Sequence, residues 1–430
     1  MWVLDRFAVD IPHAILYNTY GNKRVYIKGE TKLEKPDWIA QQEAYIYVGQ
    51  QKLRRGYTTG TCAAAAAQAA ATLLFGGEPP QAVRLTVPKG LELHIPVHSV
   101  QAGDGWAQAS VCKDSGDDPD ATDGIEVFVR LEPAKEAGIA ILGGQGVGRV
   151  TKPGLEMPVG EAAINRVPRQ MIRQQIELVR QDYPAWEGVG LRATVSIPQG
   201  EAVAKRTFNP RLGIEGGISV LGTSGIVEPM SEKALTDSIK LELSILRKAG
   251  HTGVLITPGN YGQAFLNSGT LEGLSALSER AVKCSNYVGD TLDMCVQQGF
   301  ERVLLVGHIG KFCKLAAGIM NTHSRYADGR LEVFTAHAAL CGASRETLFA
   351  LMDSATTDEA IALLDREGLR QKVMQSMLQR IEEHVRARAG ETLQTGVILF
   401  SNAHGFLGMT QGSEQILQRL LQEYQSEGDR

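Results

Sequence analysis

"RVLLVGHIGKFCKLAAGIMNTH", residues Arg302 to His323, changes period in its middle. The opening "RVLLVG" is a short apolar run closed by glycine, which reads as a strand. From Lys311 the spacing turns helical, with Phe312, Leu315, Ala316 and Ile319 on one face and Lys311, Lys314, Gly318 and Asn321 on another. The same beat recurs around it. "GISVLG" precedes the helical "EKALTDSIKLELSILRKAG", "GVLITPG" precedes an "NYG" loop, "YVGDTLDMCVQQG" reads as a helix, and "TGVILFSNAHG" supplies a later strand. Strands alternating with helices of this length specify βαβ units and a mostly parallel sheet. In such sheets ligands bind beyond the carboxyl ends of the strands.

Working outward, the rhythm differs before about Thr207. "AVRLTVP", "GIEVFVR" and "GLRATVSIP" are strand-like, and they accompany two helices, "TGTCAAAAAQAAATLL" and "RVPRQMIRQQIELVRQDYP". The expected fold class is α/β and α+β multidomain. Residues 1–50 are an N-terminal extension, 51–206 an α+β domain carrying the Ala-rich helix, and 207–430 a Rossmann-like α/β domain.

Composition narrows the function. The 430 residues carry a net charge of −4 and no run of some 18 apolar residues. Nucleic-acid and membrane partners are therefore not expected, and an anionic ligand must be met by local arginines and lysines. Six scattered cysteines without a C-x-x-C pair, and an N-terminus broken by Asp5, Arg6 and Asp10, read as a reduced, cytoplasmic chain.

Several stretches carry candidate chemistry. In "GYTTGTCAAAAA", Thr58, Thr59 or Thr61 caps a helix whose first-turn amides suit an anion, and whose alanine shaft is either close-packed core or a smooth wall for a flat ligand. "ILGGQGVGRVTKPG" is glycine-rich but leads into a loop, so it lacks the helix a dinucleotide fingerprint opens. A turn presenting Arg149 and Lys152 to a carboxylate is the better reading. "KDSGDDPDATDG" fails as a calcium loop, because counting from Asp118 puts Asp123 and Val129 where glycine and glutamate belong. It is either an Asx-stabilised turn or the source of a carboxylate base. "GTSGIVEPMS" concentrates Gly222, Thr223, Ser224, Gly225 and Glu228 after a strand, as a ligand loop would. Two lysines, Lys311 and Lys314, near a helix start oppose the helix dipole, a conflict an anionic ligand would remove. His308 and His323 flank that helix.

Taken together, "RRGYTTGTCAAAAA", "GDDPDATDG", "GVGRVTKPGL", "AINRVPR", "FNPRLGIEGGISVLGTSGIVEPMS", "PGNYG", "SNYVGDTLD" and "VGHIGKFCKLAAGIMNTHSRYADGR" resemble, in order, the CbiD family of cobalt-precorrin-5B (C1)-methyltransferases. The likeness covers about Leu53 to Arg330. It departs in a longer N-terminal extension and in Asp123, where the family tends to have histidine.

The resemblance implies S-adenosyl-L-methionine as methyl donor, C1 of a corrinoid as acceptor, cobalt carried by the substrate, and no protein metal site. It also implies a small-molecule corrinoid partner, and leaves open a homo-oligomer and transient contact with neighbouring pathway enzymes. The donor is then expected on Gly222, Thr223, Ser224, Gly225, Glu228, Gly259, Asn260 and Tyr261. The polycarboxylated ring is expected on Arg55, Thr58, Thr59, Thr61, Arg149, Lys152, Lys311, Lys314 and Asn321, and the base on Asp117, Asp118 or His308. The competing readings are a pathway redox enzyme using the Gly143–Gly148 loop, and a non-catalytic corrinoid carrier.

Overall fold

The computed structural model describes residues 16–20, 23–27, 38–40 and 43–428, and most of the N-terminal extension lies outside them. Two units emerge, Met1–Ser231 and Glu232–Arg430. Both mix helices with sheet, as a multidomain α/β and α+β chain should.

The first unit is built on seven strands: β1 (Leu16–Tyr20), β2 (Lys23–Ile27), β3 (Ser99–Gly103), β4 (Trp106–Cys112), β5 (Glu126–Ala134), β6 (Ile139–Gly143) and β7 (Gly190–Ser196). They lie in the order β1-β2-β3-β4-β5-β7-β6. All neighbours are antiparallel except β6 and β7. Period-two alternation decides which face is covered. Val127, Val129 and Leu131 are fully buried, as are Leu191, Ala193 and Val195, while their neighbours are partly exposed.

Two helices cover that face, α1 (Thr59–Leu74) and α2 (Arg166–Arg180), with α1 packed on β4, β5 and α2. The alanines from Ala63 to Ala71 have no exposed surface. Alanine has the highest helix propensity and the smallest apolar side chain, so α1 forms readily and lets sheet and α2 close on it from both sides. The smooth-wall reading of this helix is therefore corrected. The protein's own strands and α2 occupy its flanks, and no ring can reach them.

The domain boundary also lies later than the rhythm suggested. Residues 207–231 pair with the first unit: Ile214–Glu215 with Arg149–Val150, Gly217–Ile218 with Gly146–Val147, and Ile226–Val227 with Gly56–Tyr57. "GISVLG" thus opens no βαβ unit. Two-residue pairings with distant partners leave no periodicity for a sequence window to detect.

The second unit contains β8 (Gly253–Thr257), β9 (Val282–Lys283), β10 (Arg302–His308), β11 (Gln394–Ser401) and β12 (Gly405–Met409), in the order β9-β8-β10-β11-β12. The first four are parallel and β12 is antiparallel. Its longer helices are α3 (Glu232–Lys248), α4 (Asn260–Leu266), α5 (Val288–Gln297), α6 (Arg330–Leu340), α7 (Arg345–Met352), α8 (Thr357–Arg366), α9 (Arg370–Ala389) and α10 (Ser413–Gly428).

Both faces of this sheet are buried. Val254, Ile256, Val303, Leu305, Val397 and Leu399 enter one core, and Leu255, Leu304, Val306, Ile398 and Phe400 enter the other. That explains why its strands read as unbroken apolar runs. At the amino edge, Glu423 of α10 accepts from Thr252 Oγ1 and Arg302 Nη2, both at 2.6 Å, and from the Gly253 amide at 3.2 Å. This carboxylate ties the last helix to β8 and β10.

The helix expected from Lys311 to His323 is much shorter. A single turn, Ile309–Phe312, passes into a 3-10 turn, Cys313–Ala317, which Gly318 ends at φ 74°. Lys314 accounts for the break. Its ammonium is buried and donates to the carbonyls of Thr322 at 3.2 Å and Ala327 at 2.8 Å, folding the following chain back over the turn.

Candidate active site

In the first unit, Thr58 caps α1 by accepting the Thr61 amide at 3.2 Å. The "GTSG" loop then closes over that end. Thr61 Oγ1 donates to the Gly225 carbonyl at 2.7 Å, and Thr59 Oγ1 accepts the Leu221 amide at 3.0 Å. A Cβ on Gly222 would fall 2.2 Å from Thr58 Oγ1, so only glycine lets the two segments meet. Ser224 bonds the Ile226 carbonyl at 2.9 Å, and Thr223 is exposed. The threonines and glycines at this end are thus spent on one another.

Glu228 accepts from Lys89 and, at 3.2 Å, from Arg55, whose other nitrogen donates to the Glu43 carbonyl at 2.6 Å. Burial alone would raise the Glu228 carboxyl, but these two cations outweigh it and hold it below the usual range.

The Asp-rich loop is a clasp. Asp114 receives both Arg54 nitrogens at 2.6 Å, Asp117 accepts the Arg54 amide at 2.7 Å, and Asp118 accepts the Met230 amide at 3.1 Å. Asp120 takes the buried Lys113 ammonium at 2.7 Å, and Asp123 takes the Ser115 amide at 2.8 Å. Asp114 and Asp120 also accept the amides two residues on, Gly116 at 2.9 Å and Thr122 at 2.8 Å, which fits the Asx-turn reading better than a free base.

The glycines from Gly143 to Gly148 serve chain crossing. A Cβ on Gly146 would lie 1.8 Å from the Ile197 carbonyl oxygen. Arg149 donates to the Gly160 carbonyl at 2.6 Å, and the Lys152 stem lies over Gly213; both side chains are otherwise exposed.

The second unit offers a different kind of place. Its strand order reverses direction on either side of β8, between β8 and β10, and an open parallel sheet has a crevice at that point outside the carboxyl ends. Two loops rim it, Pro258–Tyr261 after β8 and His308–Lys311 after β10. Tyr261 is 66% exposed, with its ring 5.8 Å from that of His308, which in turn meets the edge of Phe400 at 5.5 Å.

The Gly310 amide donates to His308 Nδ1 at 3.1 Å, so the neutral ring carries its proton on Nε2. Burial lowers the His308 pKa, Asp358 opposing it, which keeps the ring neutral near pH 7. A ring whose lone pair already caps a turn is a hydrogen-bond donor, not a ready base.

Lys311 donates to Asn286 Oδ1 at 2.8 Å, and burial lowers its pKa. Lys283, at the end of β9, donates to Asn260 Oδ1 at 3.2 Å. Asn321 Oδ1 accepts the His323 amide at 3.1 Å, and its backbone bridges to Tyr287. Between β9 and α5, Ser285 holds φ 53°, a left-handed conformation that non-glycine residues seldom adopt.

Of the expected residues, the fold therefore brings Gly259, Asn260, Tyr261, His308 and Lys311 to one edge. It commits Thr58, Thr59, Thr61, Ser224, Gly225, Glu228, Asp117 and Asp118 to bonds within the first unit, and packs Gly222 against Thr58. Sequence reading missed Lys283 and Asn286, whose signal was their position at and just past the end of a short strand. A hollow of about 1430 Å³ on the second unit lies at the opposite edge near Arg302, Gln394 and Gln415. That is the amino end of the strands, where ligands of open sheets do not bind.

A family model described as CbiD matches residues 46–229, and one described as CbiD, C-terminal domain, matches residues 321–411. A cobalt-precorrin-5B C(1)-methyltransferase of Ruminiclostridium cellulolyticum is 46% identical over 84% of this chain and 92% of its own. One of Clostridioides difficile is 36% identical over 87% of this chain and 99% of its own. The crystal structure of the cobalamin biosynthesis protein CbiD from Archaeoglobus fulgidus aligns with TM-score 0.35 and 28% identity, covering 68% of this chain and 93% of that one.

Proposed function

The chain belongs to the CbiD family, and from that premise we infer that it is an enzyme of cobalamin biosynthesis that methylates C1 of cobalt-precorrin-5B to give cobalt-precorrin-6A. The observation that carries this is 46% identity extending over 92% of a relative bearing that activity. The corrinoid is a small polycarboxylated ring that brings its own cobalt.

S-adenosyl-L-methionine is the donor that such a transfer calls for. When bound, it supplies an electrophilic methyl on sulfur, whose bond breaks as the carbon–carbon bond at C1 forms. We read the second unit as Rossmann-like and assign the donor to the crevice between β8 and β10. The residues there suit it. Tyr261 offers an exposed aromatic face for a purine, Asn260 an amide, and His308 a neutral ring with Nε2–H as donor.

The chain's own contribution is alignment. Methyl transfer needs the two reacting centres held in line within about 3–3.5 Å, and fixing that geometry supplies several kcal/mol. A rigid turn locked by the His308 cap suits this task better than a mobile acid–base pair. Incubation of the purified chain with labelled donor and cobalt-precorrin-5B tests the reading. Label at C1 supports it; binding of S-adenosylhomocysteine without any methyl transfer to the ring would overturn it. Loss of S-adenosylhomocysteine binding in Tyr261→Ala supports the crevice, and unchanged binding there removes that assignment.

A further inference from the structure

We propose that Lys283 and Lys311, each steadied by an asparagine, form a carboxylate-binding pair at the carboxyl edge of the β9-β8-β10 strands. The proposal deepens the functional reading above and rests on it.

Each lysine has a neutral partner. Lys283 donates to Asn260 Oδ1 at 3.2 Å and Lys311 to Asn286 Oδ1 at 2.8 Å. Among the described residues neither has a carboxylate within ion-pair distance, although the chain pairs many of its other cations with acids. Examples are Arg54 with Asp114, Lys113 with Asp120 and Arg302 with Glu423.

The asparagines add to the imbalance. Each turns its amide oxygen to a lysine, so that its NH2 faces away from it with no protein acceptor among the described residues. Thr322 holds Asn286 from the other side, through its amide to the Asn286 carbonyl at 2.9 Å and its hydroxyl to Oδ1 at 3.4 Å. Two ammonium groups and two amide NH2 groups therefore present only donors.

Half-burying an ammonium against a neutral amide, as at Lys311, is costly unless a negative group completes it. The strained Ser285, between Lys283 and Asn286 in sequence, holds the loop that carries this arrangement. A carboxylate, with two oxygens and no donor, is the complement of such a surface.

Two ligands of the reaction bring carboxylates, the amino-acid end of the donor and the side chains of the corrinoid ring. The experiment separates them. Lys283→Met, Lys311→Met and the double variant are titrated calorimetrically with S-adenosylhomocysteine, with 5′-methylthioadenosine, which lacks the carboxylate, and with a cobalt corrinoid polycarboxylate. If the pair holds the donor, S-adenosylhomocysteine binding weakens about tenfold or more in each variant while methylthioadenosine is unaffected, since a hydrogen bond to a charged group is worth that much. If it holds the ring, the corrinoid weakens similarly and both nucleosides bind as before.

Equal affinity of wild type and double variant for all three ligands, within twofold, overturns the proposal while leaving the methyl-transfer activity of the wild type standing. Wild-type chain that transfers no methyl overturns the functional reading itself. Lys283→Arg, which keeps charge and donors, should retain most of the affinity, and failure of that rescue with a normal fold counts against a charge-based role.

Discussion

Gly262→Ala should open the crevice by a route that can be checked quantitatively. Gly262 sits in the first turn of α4 directly against the end of β8. A Cβ there would stand 1.5 Å from Thr257 Oγ1 and 2.8 Å from Thr257 Cβ. Ordinary contacts between such atoms are about 3.5 Å, so the turn must withdraw or Thr257 must rotate its methyl into the same space. Overpacking of this kind costs about 1–3 kcal/mol.

Thr257 is fully buried and its hydroxyl has no partner among the described residues. Removing an unsatisfied hydroxyl recovers about as much as losing a methyl costs, so Thr257→Ala alone should lie within about 1 kcal/mol of wild type. In the double variant the worst clash is gone and only the Cβ contact remains. The two changes should then couple by about 1 kcal/mol or more in the favourable direction. Urea unfolding of the four proteins measures this cycle. S-adenosylhomocysteine affinity should track it, because Asn260 and Tyr261 belong to the same turn. Additivity within about 0.3 kcal/mol, or a loss above about 2 kcal/mol for Thr257→Ala, would refute the reasoning.

Other outcomes follow from the same bonds. Thr61→Val keeps shape but strips the hydroxyl from the Gly225 carbonyl, which is bonded at 2.7 Å within a buried site, so stability should fall by about 1–3 kcal/mol in urea titration. An unchanged midpoint would show that the loop is held elsewhere. Glu423→Ala removes the acceptor for Thr252, Arg302 and the Gly253 amide, and a loss of about 2–3 kcal/mol with a lower Tm is expected by calorimetry. Acid should destabilise the first unit through Asp114. Burial raises this carboxyl, but Arg54, the Gly116 amide and Trp38 outweigh it and lower its pKa in the folded chain. The unfolded chain then binds the proton more readily, so this contribution is complete above about pH 4 and is lost as pH falls through the depressed value. Unfolding midpoints of wild type and Asp114→Asn between about pH 5 and pH 3 should converge, and parallel curves would contradict this sign.

What was legible in the sequence was what short range controls. The runs "GVLITPG", "RVLLVG" and "TGVILFSNAHG" announce β8, β10 and β11 because a strand covered on both faces needs apolar residues at every position. Four helices between Arg330 and Ala389 are not individually legible, and the helical spacing from Lys311 outruns the actual turn, since apolar spacing cannot register a buried lysine that turns the chain back. The candidate site was half legible. Gly259, Asn260, Tyr261, His308 and Lys311 follow strands and could be named from that alone. Lys283 closes a strand of only two residues, too short to show a period, and Asn286 follows it.

The amino-acid sequence alone determined the family, the periods of the principal elements and the loops on which a parallel sheet can hold a ligand. Each of these depends on neighbouring residues or on long matching motifs. Which polar groups remain free was decided only in three dimensions. Arg54 finds Asp114 60 residues away, and Thr61 finds Gly225 at a separation of 164. A hydrogen bond is satisfied by proximity in space, so threonines and aspartates that look like ligand groups in the chain are consumed as fasteners. The lysines left with neutral partners become recognisable only once the sheet has set its strands side by side.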